Sequence, residues 1–167
     1  MILNKNEAVL LLGTNLGDRI SFLEETKRQI SQNIGSILSK SHIYESASWG
    51  YKSANYFLNQ VVIVDSKYTP LDIFLKTQKI EQHLGKTSNS KVKYSDRPID
   101  IDILFFDNQI VNKENLCIPH PEIQNRRFTL IPLCDVLSNY KHPILNKNME
   151  QLLDNCKDQI EPTLYRG

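Results

Sequence analysis

The chain has 167 residues, of which 23% are charged, and its positive and negative charges balance to a net charge of +1. This balance excludes the excess of clustered Lys and Arg that a nucleic-acid surface needs, and the apolar runs are too short to cross a membrane. The length predicts one domain over residues 1–167, and three widely spaced cysteines without a CxxC pair indicate free thiols in a soluble cytoplasmic protein.

The first half of the chain predicts three strands and one helix. The all-apolar run from Ala8 to Leu12, which a glycine ends, predicts a central strand. Apolar residues at helical spacing predict an amphipathic helix from Arg19 to Asn33 that Gly35 closes. Two further strands are predicted from Ile37 to Ser46 and from Phe57 to Val64, and the second is rich in Val and Ile.

A second helix begins after a capping signal. Thr69 is a favourable N-cap residue, Pro70 suits the first helical position, and Gly85 marks the end of the helix. The predicted buried stripe of this helix consists of Leu71, Phe74, Leu75 and Leu84. The polar stretch that follows, Lys86 to Asp96, contains almost no large aliphatic residue, so we expect a loop there.

The last part of the chain begins with SDRPIDIDILFF, Ser95 to Phe106, which predicts a strand. A turn at residues 107–108 predicts a hairpin in which residues 109–111 return along this strand, and short helices follow at Leu130 to Leu137 and Met149 to Leu153. The order of elements predicts an α+β fold: a ferredoxin-like βαββαβ antiparallel sheet with helices on one face, plus the added hairpin and C-terminal helices. The other face is then expected to be free for ligands.

Two aspartates stand side by side in the predicted strand. Residues two apart in a strand share a face, so Asp100 and Asp102 point the same way. Strict alternation adds Leu104 and Phe106 to that face and puts Phe105 on the other. Two neighbouring carboxylates repel each other, and water, a proton or a cation must relieve the repulsion. The pair either solvates a strand end or holds a hard divalent ion such as Mg²⁺ that arrives with substrate phosphates.

Cationic residues lie close to this acidic pair in the sequence. Arg97 precedes Asp100 by three residues and reaches the same side only if the backbone turns at Pro98. Lys86 and further lysines lie in the loop just upstream. Carboxylates for a metal beside cations for phosphate oxygens suit phosphoryl transfer, in which catalysis is mostly positioning and charge neutralisation.

Other candidate residues carry little information individually. An amide beside an aromatic ring, as in Asn59 and Phe57, suits the edge of a flat heterocycle, and Trp49 could cover such a ligand. Gln78 and Glu81 share one side of the second predicted helix and by default form a solvated face. These residues indicate a particular function only when they are considered together with the acidic pair.

Taken together, four segments resemble the 6-hydroxymethyl-7,8-dihydropterin pyrophosphokinase family of folate biosynthesis. In chain order they are LGTNLGDR (12–19), YFLNQVV (56–62), IEQHLG to DRPIDIDILFF (80–106) and IPHPEIQNRRFTLIPL (118–133). The match covers most of the chain, and the segments are specific as a set although no single one is. The resemblance implies transfer of the terminal diphosphate of ATP to the hydroxymethyl group of the pterin, with release of AMP.

The resemblance also implies a role for each candidate residue. Asp100 and Asp102 would bind two Mg²⁺ ions, with Arg97 and Lys86 as catalytic cations. The residues implied to contact ATP are Gln78, Glu81, Arg97, His120 and Arg126. Those implied to hold the pterin are Ser46, Ala47, Trp49, Phe57, Asn59 and Phe128, with Gly13 and Asn15 shaping the pocket wall. We expect a monomer whose partners are these two small molecules, with no nucleic acid and no membrane.

The loop before the aspartates departs from the family pattern. Lys86 and Ser88 stand where the family often has arginines, and Tyr94-Ser95-Asp96 replaces Trp-Gly-Pro. Because lysine cannot form the bidentate contacts of arginine, we expect Lys91 or Lys93 of this loop to compensate. We also expect the segment from Lys86 to Asp96 to close over ATP as a lid that excludes water.

Two other functions stay open on sequence alone. The acidic pair also suits another two-metal phosphotransferase or a nuclease, although a nuclease would need a more basic surface. A non-catalytic ferredoxin-like domain that binds a small ligand is the second alternative. Such a domain would not need paired aspartates flanked by Arg97 and His120.

Overall fold

The structure, a computed structural model, describes residues 3–85 and 95–167. In chain order its elements are β1 (Glu7–Thr14), α1 (Arg19–Asn33), β2 (Ser36–Lys40), β3 (Tyr44–Ser46), β4 (Phe57–Asp65), α2 (Pro70–His83), β5 (Asp100–Phe106), β6 (Val111–Lys113), β7 (Leu116–Ile118), α3 (Arg127–Leu137), α4 (Met149–Asp154) and β8 (Thr163–Leu164). Within the described ranges, no helix is both long and apolar enough to span a membrane. The prediction for Lys86 lies outside the described residues, as do residues 86–94 of the predicted closing loop from Lys86 to Asp96.

The strands form an antiparallel sheet around β1. In the described part of the chain this sheet has six strands, with the order β5-β1-β4-β3-β8 and β2 also paired with β4. β1 pairs along its whole length with β4 and is buried throughout, which explains its uninterrupted apolar sequence. The topology confirms the predicted α+β, ferredoxin-like fold, and α1 has the predicted bounds.

Helices pack on both faces of the sheet. On the first face, α1 and α2 bury Leu23 and Ile73 in one apolar cluster. On the second face, α3 and α4 bury Leu133 and Met149 in another, which confirms the two predicted C-terminal helices. These helices cover part of the face that the sequence analysis leaves free for ligands. The uncovered part lies at the end of β1 that contains Gly13.

Both ends of α2 agree with the prediction, whereas Gly35 does not form the predicted cap at the end of α1. The Thr69 side chain accepts a hydrogen bond from the Asp72 backbone, and the Asp72 carboxylate accepts one from the Thr69 backbone. Gly85 follows α2 with a φ of 98°, a conformation that favours glycine. The cap residue of α1, in contrast, is right-handed, and a Cβ atom on Gly35 would collide with the Asp65 carbonyl group. Gly35 is therefore needed for close approach to β4 and not for a left-handed cap.

The buried stripe of α2 differs from the prediction. Leu71 and Leu75 are 42% and 48% exposed, and Phe74 and Leu84 are only partly buried. The buried residues are instead Ile73, Thr77, Ile80 and Glu81. The two stripes are neighbours on the helix surface, so helical periodicity permits either of them. Packing against α1 and β5 selects the observed one.

The predicted single strand from Ile37 to Ser46 is two strands, β2 and β3, separated at Ser41. The Ser41 backbone donates to the Val61 carbonyl oxygen over 2.9 Å, and its hydroxyl accepts from the Val61 N–H over 3.0 Å. A side-chain hydroxyl thus takes the place of a backbone carbonyl in the ladder with β4. Because the hydroxyl replaces the carbonyl at this point, the predicted strand is interrupted between β2 and β3, but the chain stays bonded to β4.

A β-bulge changes the alternation at the end of β5. The pairing with β1 shifts between Val9 and Leu10, so Leu104 has no partner residue in β1. Leu104 and Phe105 consequently pack in the cluster of α3 and α4, while Phe106 packs in the cluster of α1 and α2. The predictions that Phe106 shares a face with the two aspartates and that Phe105 lies on the other face are therefore wrong, although the prediction for Leu104 holds.

The hairpin after β5 is also displaced from its predicted position. Asp107, with a φ of 47°, donates its backbone N–H to the Glu7 carbonyl and accepts the Glu7 N–H on its carboxylate. These bonds extend the pairing of β1 with β5 to residue 107, so residues 109–111 do not pair with β5 as predicted. The hairpin forms later, between β6 and β7, which make a separate two-stranded sheet.

Candidate active site

An open cleft lies on the second face of the sheet, next to the N-terminus of α3. Its volume is about 220 Å³. The strand registers place Gly13 between Asn59 on β4 and Asp100 on β5, and they place Leu11 beside Asp102. Because alternate residues of a strand share a face, these side chains all project into the same cleft.

The residues that line the cleft separate into two walls. The charged wall consists of Arg97, Asp100, Asp102, His120 and Arg126. The neutral wall consists of Ser46, Ala47, Trp49, Tyr51, Phe57 and Asn59. Leu11 and Gly13 form the floor, and Phe128 of α3 completes the lining. The structure thus brings together all six residues predicted for the pterin and, from the residues predicted for the metal and ATP, the acidic pair with Arg97, His120 and Arg126.

Gly13 keeps the floor between the two walls open. A Cβ atom at this position would lie 3.4 Å from Asn59 Oδ1 and 3.8 Å from Phe57 Cδ1. Any larger side chain would therefore fill the space above the floor and press against the neutral wall. Gly13 is not among the residues with a positive φ, so the space around its Cα atom, and not its backbone conformation, distinguishes it from other residues here.

Arg97 and Asp100 form an ion pair on the charged wall. The chain bends at Pro98, as the prediction for Arg97 requires, and Arg97 Nη1 donates to Asp100 Oδ1 over 3.0 Å. Arg97 Nε also donates to the Ser95 carbonyl over 3.0 Å. Burial disfavours the charge of Arg97, but Asp100 and Asp102 outweigh it and raise the pKa of the guanidinium. Arg97 therefore remains a cation in the cleft.

Asp102 faces two basic groups across the cleft. Its Oδ2 atom lies 3.9 Å from Arg126 Nη1 and 4.0 Å from His120 Nε2. Together with the Arg97–Asp100 pair, this arrangement relieves the repulsion between the two carboxylates with cations that belong to the chain. The pair is thus compatible with the fold before any metal ion binds, and the strand spacing alone does not require one.

Backbone contacts hold His120 in one orientation. Its backbone N–H donates to the Leu104 carbonyl over 3.0 Å, and its Nδ1 accepts the Glu122 N–H over 3.2 Å. A neutral imidazole that accepts at Nδ1 carries its proton on Nε2, the nitrogen that faces Asp102. His120 therefore presents an N–H group to the acidic side of the cleft.

Arg126 joins the two walls at the α3 end of the cleft. Its guanidinium carbon lies 4.6 Å from the centre of the Trp49 ring and 5.7 Å from that of Phe128. Arg126 is only 8% exposed, and its Nε atom has no hydrogen-bond partner among the described residues. The planar cation is therefore positioned by aromatic faces, with Asp102 as its nearest charge.

The neutral wall presents a polar edge at its base. Asn59 is 2% exposed, and its Nδ2 atom donates to the Ser46 hydroxyl over 3.0 Å. This bond fixes the amide so that Oδ1 lies on the side of Gly13. Phe57 lies two residues before Asn59 on the same face of β4, and Phe128 lines the cleft from α3. Aromatic rings and one fixed amide suit a flat heterocycle.

Leu11 and Tyr51 line the cleft but escape the sequence analysis, and Asp96 enters that analysis only as a departure from the family pattern at the end of the predicted closing loop. Asp96 accepts hydrogen bonds from Asn15 over 2.8 Å, from Tyr51 over 2.9 Å and from Asn55 over 2.7 Å. Burial raises the pKa of Asp96, but these bonds and one from a nearby serine outweigh it and lower the pKa to about 2. Burial and the Asp96 contact raise the pKa of Tyr51 to about 12. Of the two residues that were missed, only Tyr51 gives a sequence signal, through its position two residues after Trp49.

Gln78 and Glu81 do not line the described cleft. Gln78 is exposed on α2, while Glu81 is 6% exposed and its Oε1 atom accepts the Ile101 N–H over 2.7 Å. Ile101 lies between Asp100 and Asp102 on the outer side of the sheet edge, so Glu81 supports the backbone of the acidic pair. The predicted contact of both residues with ATP stays a prediction.

Asp100 and Asp102 are the residues that could hold a metal ion in the cleft. Among the described residues, no group of three or more His, Cys, Asp or Glu side chains could hold an ion by itself. Two carboxylates that leave several coordination positions to phosphates and waters are typical of Mg²⁺ sites. The donor set therefore fits an ion that is completed by a phosphorylated substrate.

Comparison with known proteins identifies the family. Residues 9–138 match the family described as 7,8-dihydro-6-hydroxymethylpterin-pyrophosphokinase, HPPK. A 2-amino-4-hydroxy-6-hydroxymethyldihydropteridine pyrophosphokinase of Porphyromonas gingivalis is 44% identical over 137 residues, which cover 80% of this chain and 92% of that protein. The protein of the same name from Bacillus subtilis is 32% identical over 147 residues, which cover 87% of each chain.

Solved structures show the same fold. The HPPK-DHPS wild type of Plasmodium falciparum has a TM-score of 0.73 at 19% identity, and an HPPK-DHPS crystallised in complex with substrates has a TM-score of 0.72 at 18% identity. These matches cover 91% and 92% of this chain, which spans 45% and 43% of those longer chains. From the family match, the curated relatives and the shared fold, we conclude that this chain belongs to the HPPK family.

Proposed function

We propose that this chain transfers the terminal diphosphate of ATP to the hydroxymethyl group of 6-hydroxymethyl-7,8-dihydropterin, giving AMP and the pterin diphosphate. The observation that carries the proposal is the pair of unlike walls in one cleft of an HPPK family member. A flat heterocycle needs a neutral slot with one polar edge, while a triphosphate needs cations. The cleft offers both on opposite sides of Gly13.

The neutral wall would hold the pterin. Phe57 and Phe128 would sandwich its ring, and Asn59, fixed by Ser46, would bond its donor–acceptor edge. Backbone groups near Ala47 would add to this edge. Because an amide both donates and accepts, Asn59 would distinguish a pterin from a ring of similar size without that edge.

The charged wall would hold the phosphates of ATP. Arg97 and Arg126 would neutralise phosphate oxygens, and His120 would offer its Nε2 side to the same region. Lys86, outside the described residues, is proposed as a further catalytic cation. These groups would align the attacking pterin hydroxyl with the β-phosphorus, and alignment with charge neutralisation is most of what phosphoryl transfer requires.

The proposed cofactor is Mg²⁺, with two ions held by Asp100 and Asp102. Both carboxylates belong to one face of β5, and they are 28% and 31% exposed, so each can offer an oxygen to the cleft. When bound, the ions would polarise the phosphoryl oxygens and stabilise the charge that develops on the leaving AMP. Glu81 would keep the two aspartates at a constant spacing through Ile101.

Residues 1–167 are further proposed to act as a single pyrophosphokinase domain and as a cytoplasmic monomer that binds neither nucleic acid nor a membrane. Three cysteines without a disulfide support a reducing compartment. A near-neutral charge supports small-molecule partners. Sedimentation of the purified chain at several concentrations tests the monomer, since a mass that rises with concentration contradicts it.

The direct test is to incubate the chain with ATP, Mg²⁺ and 6-hydroxymethyl-7,8-dihydropterin and to identify the nucleotide product. We expect AMP in equal amount to the pterin diphosphate, and no turnover when EDTA replaces Mg²⁺. ADP as the product would indicate an ordinary kinase. The absence of any product would indicate a ligand-binding domain without catalysis.

A further inference from the structure

Asp96 connects three segments that surround the cleft. Its Oδ1 atom accepts from Asn15 Nδ2 over 2.8 Å and from Tyr51 Oη over 2.9 Å, while its Oδ2 atom accepts from Asn55 Nδ2 over 2.7 Å. Asn15 follows β1, whereas Tyr51 and Asn55 belong to the loop of residues 47–56 between β3 and β4, here called the cover loop. One carboxylate thus holds the cover loop, the end of β1 and the entry to β5 together.

Asp96 is adjacent in sequence to a residue of the charged wall. The next residue, Arg97, donates its backbone N–H to Asn15 Oδ1 over 2.8 Å and accepts the Asn15 N–H on its carbonyl over 3.2 Å. Asn15 therefore bonds both Asp96 and Arg97, and it prevents the segment from sliding along β1. Any movement of Asp96 would move the backbone from which the Arg97 guanidinium extends.

Asp96 also accepts hydrogen bonds from the cover loop, which contributes residues to the neutral wall. Tyr51 lines the cleft, and its hydroxyl donates to Asp96; burial and this contact raise the pKa of Tyr51 to about 12. Within the cover loop, Ser48 Oγ donates to the Tyr51 carbonyl over 2.6 Å and accepts the Ser53 N–H over 3.1 Å. Because the loop is bonded internally, a restraint on Tyr51 and Asn55 also restrains Trp49.

We propose that Asp96 is a positioning residue for the transfer. Through its hydrogen bonds with Tyr51, Asn55 and Asn15, Asp96 couples the position of the neutral wall to that of the charged wall. The inference rests on the proposed function, and it explains how the two walls keep a constant separation before either substrate binds. The pterin slot is then formed in the ligand-free chain.

The matched variants are Asp96→Leu and Asp96→Asn. Leucine has a similar size but accepts no hydrogen bond, whereas the amide oxygen of asparagine can still accept from Asn15 and Tyr51. The Asn55 side chain can rotate to offer its oxygen to the new amide group. Asp65→Leu is the control, because Asp65 is an exposed aspartate at the opposite end of β4 from Phe57.

The first measurement is acrylamide quenching of Trp49, the single tryptophan, in the ligand-free chain. We expect stronger quenching in Asp96→Leu and nearly unchanged quenching in Asp96→Asn and Asp65→Leu. The second is the affinity for 6-hydroxymethyl-7,8-dihydropterin in the presence of Mg²⁺ and a nonhydrolysable ATP analogue, which we expect to weaken about tenfold in Asp96→Leu and less than about threefold in Asp96→Asn. Rescue by asparagine distinguishes lost hydrogen bonds from a general disturbance of packing.

Quenching and pterin affinity that both match the wild type in Asp96→Leu would overturn the inference. If Asp96→Leu does not fold, Asn55→Ala takes its place, since Asn55 is exposed and does not line the cleft. Unchanged quenching in that variant would equally contradict the coupling. Failure of the wild type to bind the pterin even with the ATP analogue present would instead contradict the proposed function, while the quenching comparison still decides the role of Asp96.

Discussion

The neutral wall and the charged wall face each other across Gly13, yet they differ in burial, charge and origin. Asn59 and Ser46 of the neutral wall are 2% and 3% exposed and bond each other. The aspartates of the charged wall are 28% and 31% exposed and face cationic groups. Their strands lie on either side of β1, which separates the walls by roughly 10 Å at an inter-strand spacing of about 4.8 Å. One sheet face thus offers two chemistries at a fixed separation.

This difference implies that substitutions on the two walls affect different kinetic parameters. Changes on the charged wall are expected to alter turnover and the use of ATP, whereas changes on the neutral wall are expected to alter the pterin KM. A variant of one wall that changed the pterin KM and the ATP KM equally would show that the two walls do not act separately.

The largest effect is expected for Asp102→Asn. Loss of one carboxylate would remove a proposed oxygen ligand of the metal and leave Arg126 without its nearest anion, so we expect kcat to fall by about three orders of magnitude. The pterin KM should change little. Steady-state kinetics with saturating Mg²⁺ checks this, and Asp65→Asn serves as the surface control. Turnover near the wild-type rate in a folded variant would contradict the assignment of the acidic pair.

The next largest effect is expected for Asn59→Leu. The variant keeps the size of the side chain but removes the amide that would read the pterin edge, so we expect the pterin KM to rise about thirtyfold. The ATP KM measured on the same preparation is the internal control and should stay within about twofold. An equal rise in both constants would show that the slot and the phosphate site are not separate.

Arg126 and Arg127 form a matched pair for testing the charged wall. Arg126 lies against Trp49 and close to Asp102, whereas Arg127 pairs with Glu161 over 3.1 Å. Because lysine lacks the planar fork, we expect Arg126→Lys to raise the ATP KM about tenfold and Arg127→Lys to change it by less than about twofold. Equal effects of the two substitutions would contradict a phosphate contact by Arg126.

A smaller effect is expected for Glu81. Glu81→Leu removes the acceptor of the Ile101 N–H, whereas Glu81→Gln keeps an oxygen there, so only leucine should disturb the spacing of the acidic pair. We expect the Mg²⁺ concentration for half-maximal rate to rise about fivefold in Glu81→Leu and to stay near the wild-type value in Glu81→Gln. If both variants lose affinity for ATP instead, Glu81 contacts the nucleotide directly.

The smallest effect concerns stability in acid. The pKa of Asp96 falls from 3.8 to about 2 on folding, so its contribution to stability is complete above pH 3.8 and is lost as the pH falls through about 2. Tyr51 and Arg97 are its nearest titratable neighbours, and both keep their protons in this range. Urea unfolding of Asp96→Asn should show a shallower loss of stability between pH 4 and pH 2 than the wild type. Identical slopes would contradict the lowered pKa.

Several elements follow directly from local sequence patterns. The apolar run of β1, the periodicity of α1, the Val and Ile residues of β4 and the capping box of α2 each involve neighbouring residues. Their physical causes act within a few residues, so the sequence predicts them with nearly correct bounds. The alternation along β5 likewise predicts that Asp100 and Asp102 share a face, and the structure shows both in one cleft.

The incorrect predictions concern features that depend on distant partners. The break between β2 and β3 arises from Ser41 and Val61, which are 20 residues apart. The phase shift of β5 depends on its register with β1, and the buried stripe of α2 depends on α1 and β5. The contact of Tyr51 with Asp96 joins residues that are 45 positions apart. Neither propensity nor periodicity contains information about such pairs.

The sequence by itself determined the order of the elements, the family resemblance and the chemical types of the residues in the cleft, because side-chain period and capping are local effects. The tertiary structure alone decided that Gly13 separates a neutral wall from a charged one, that Arg97 and Arg126 face the aspartates, and that Asp96 joins the segments around them. These relations are hydrogen bonds and ion pairs between segments far apart in the chain, and they exist only once the strand registers have brought the segments together.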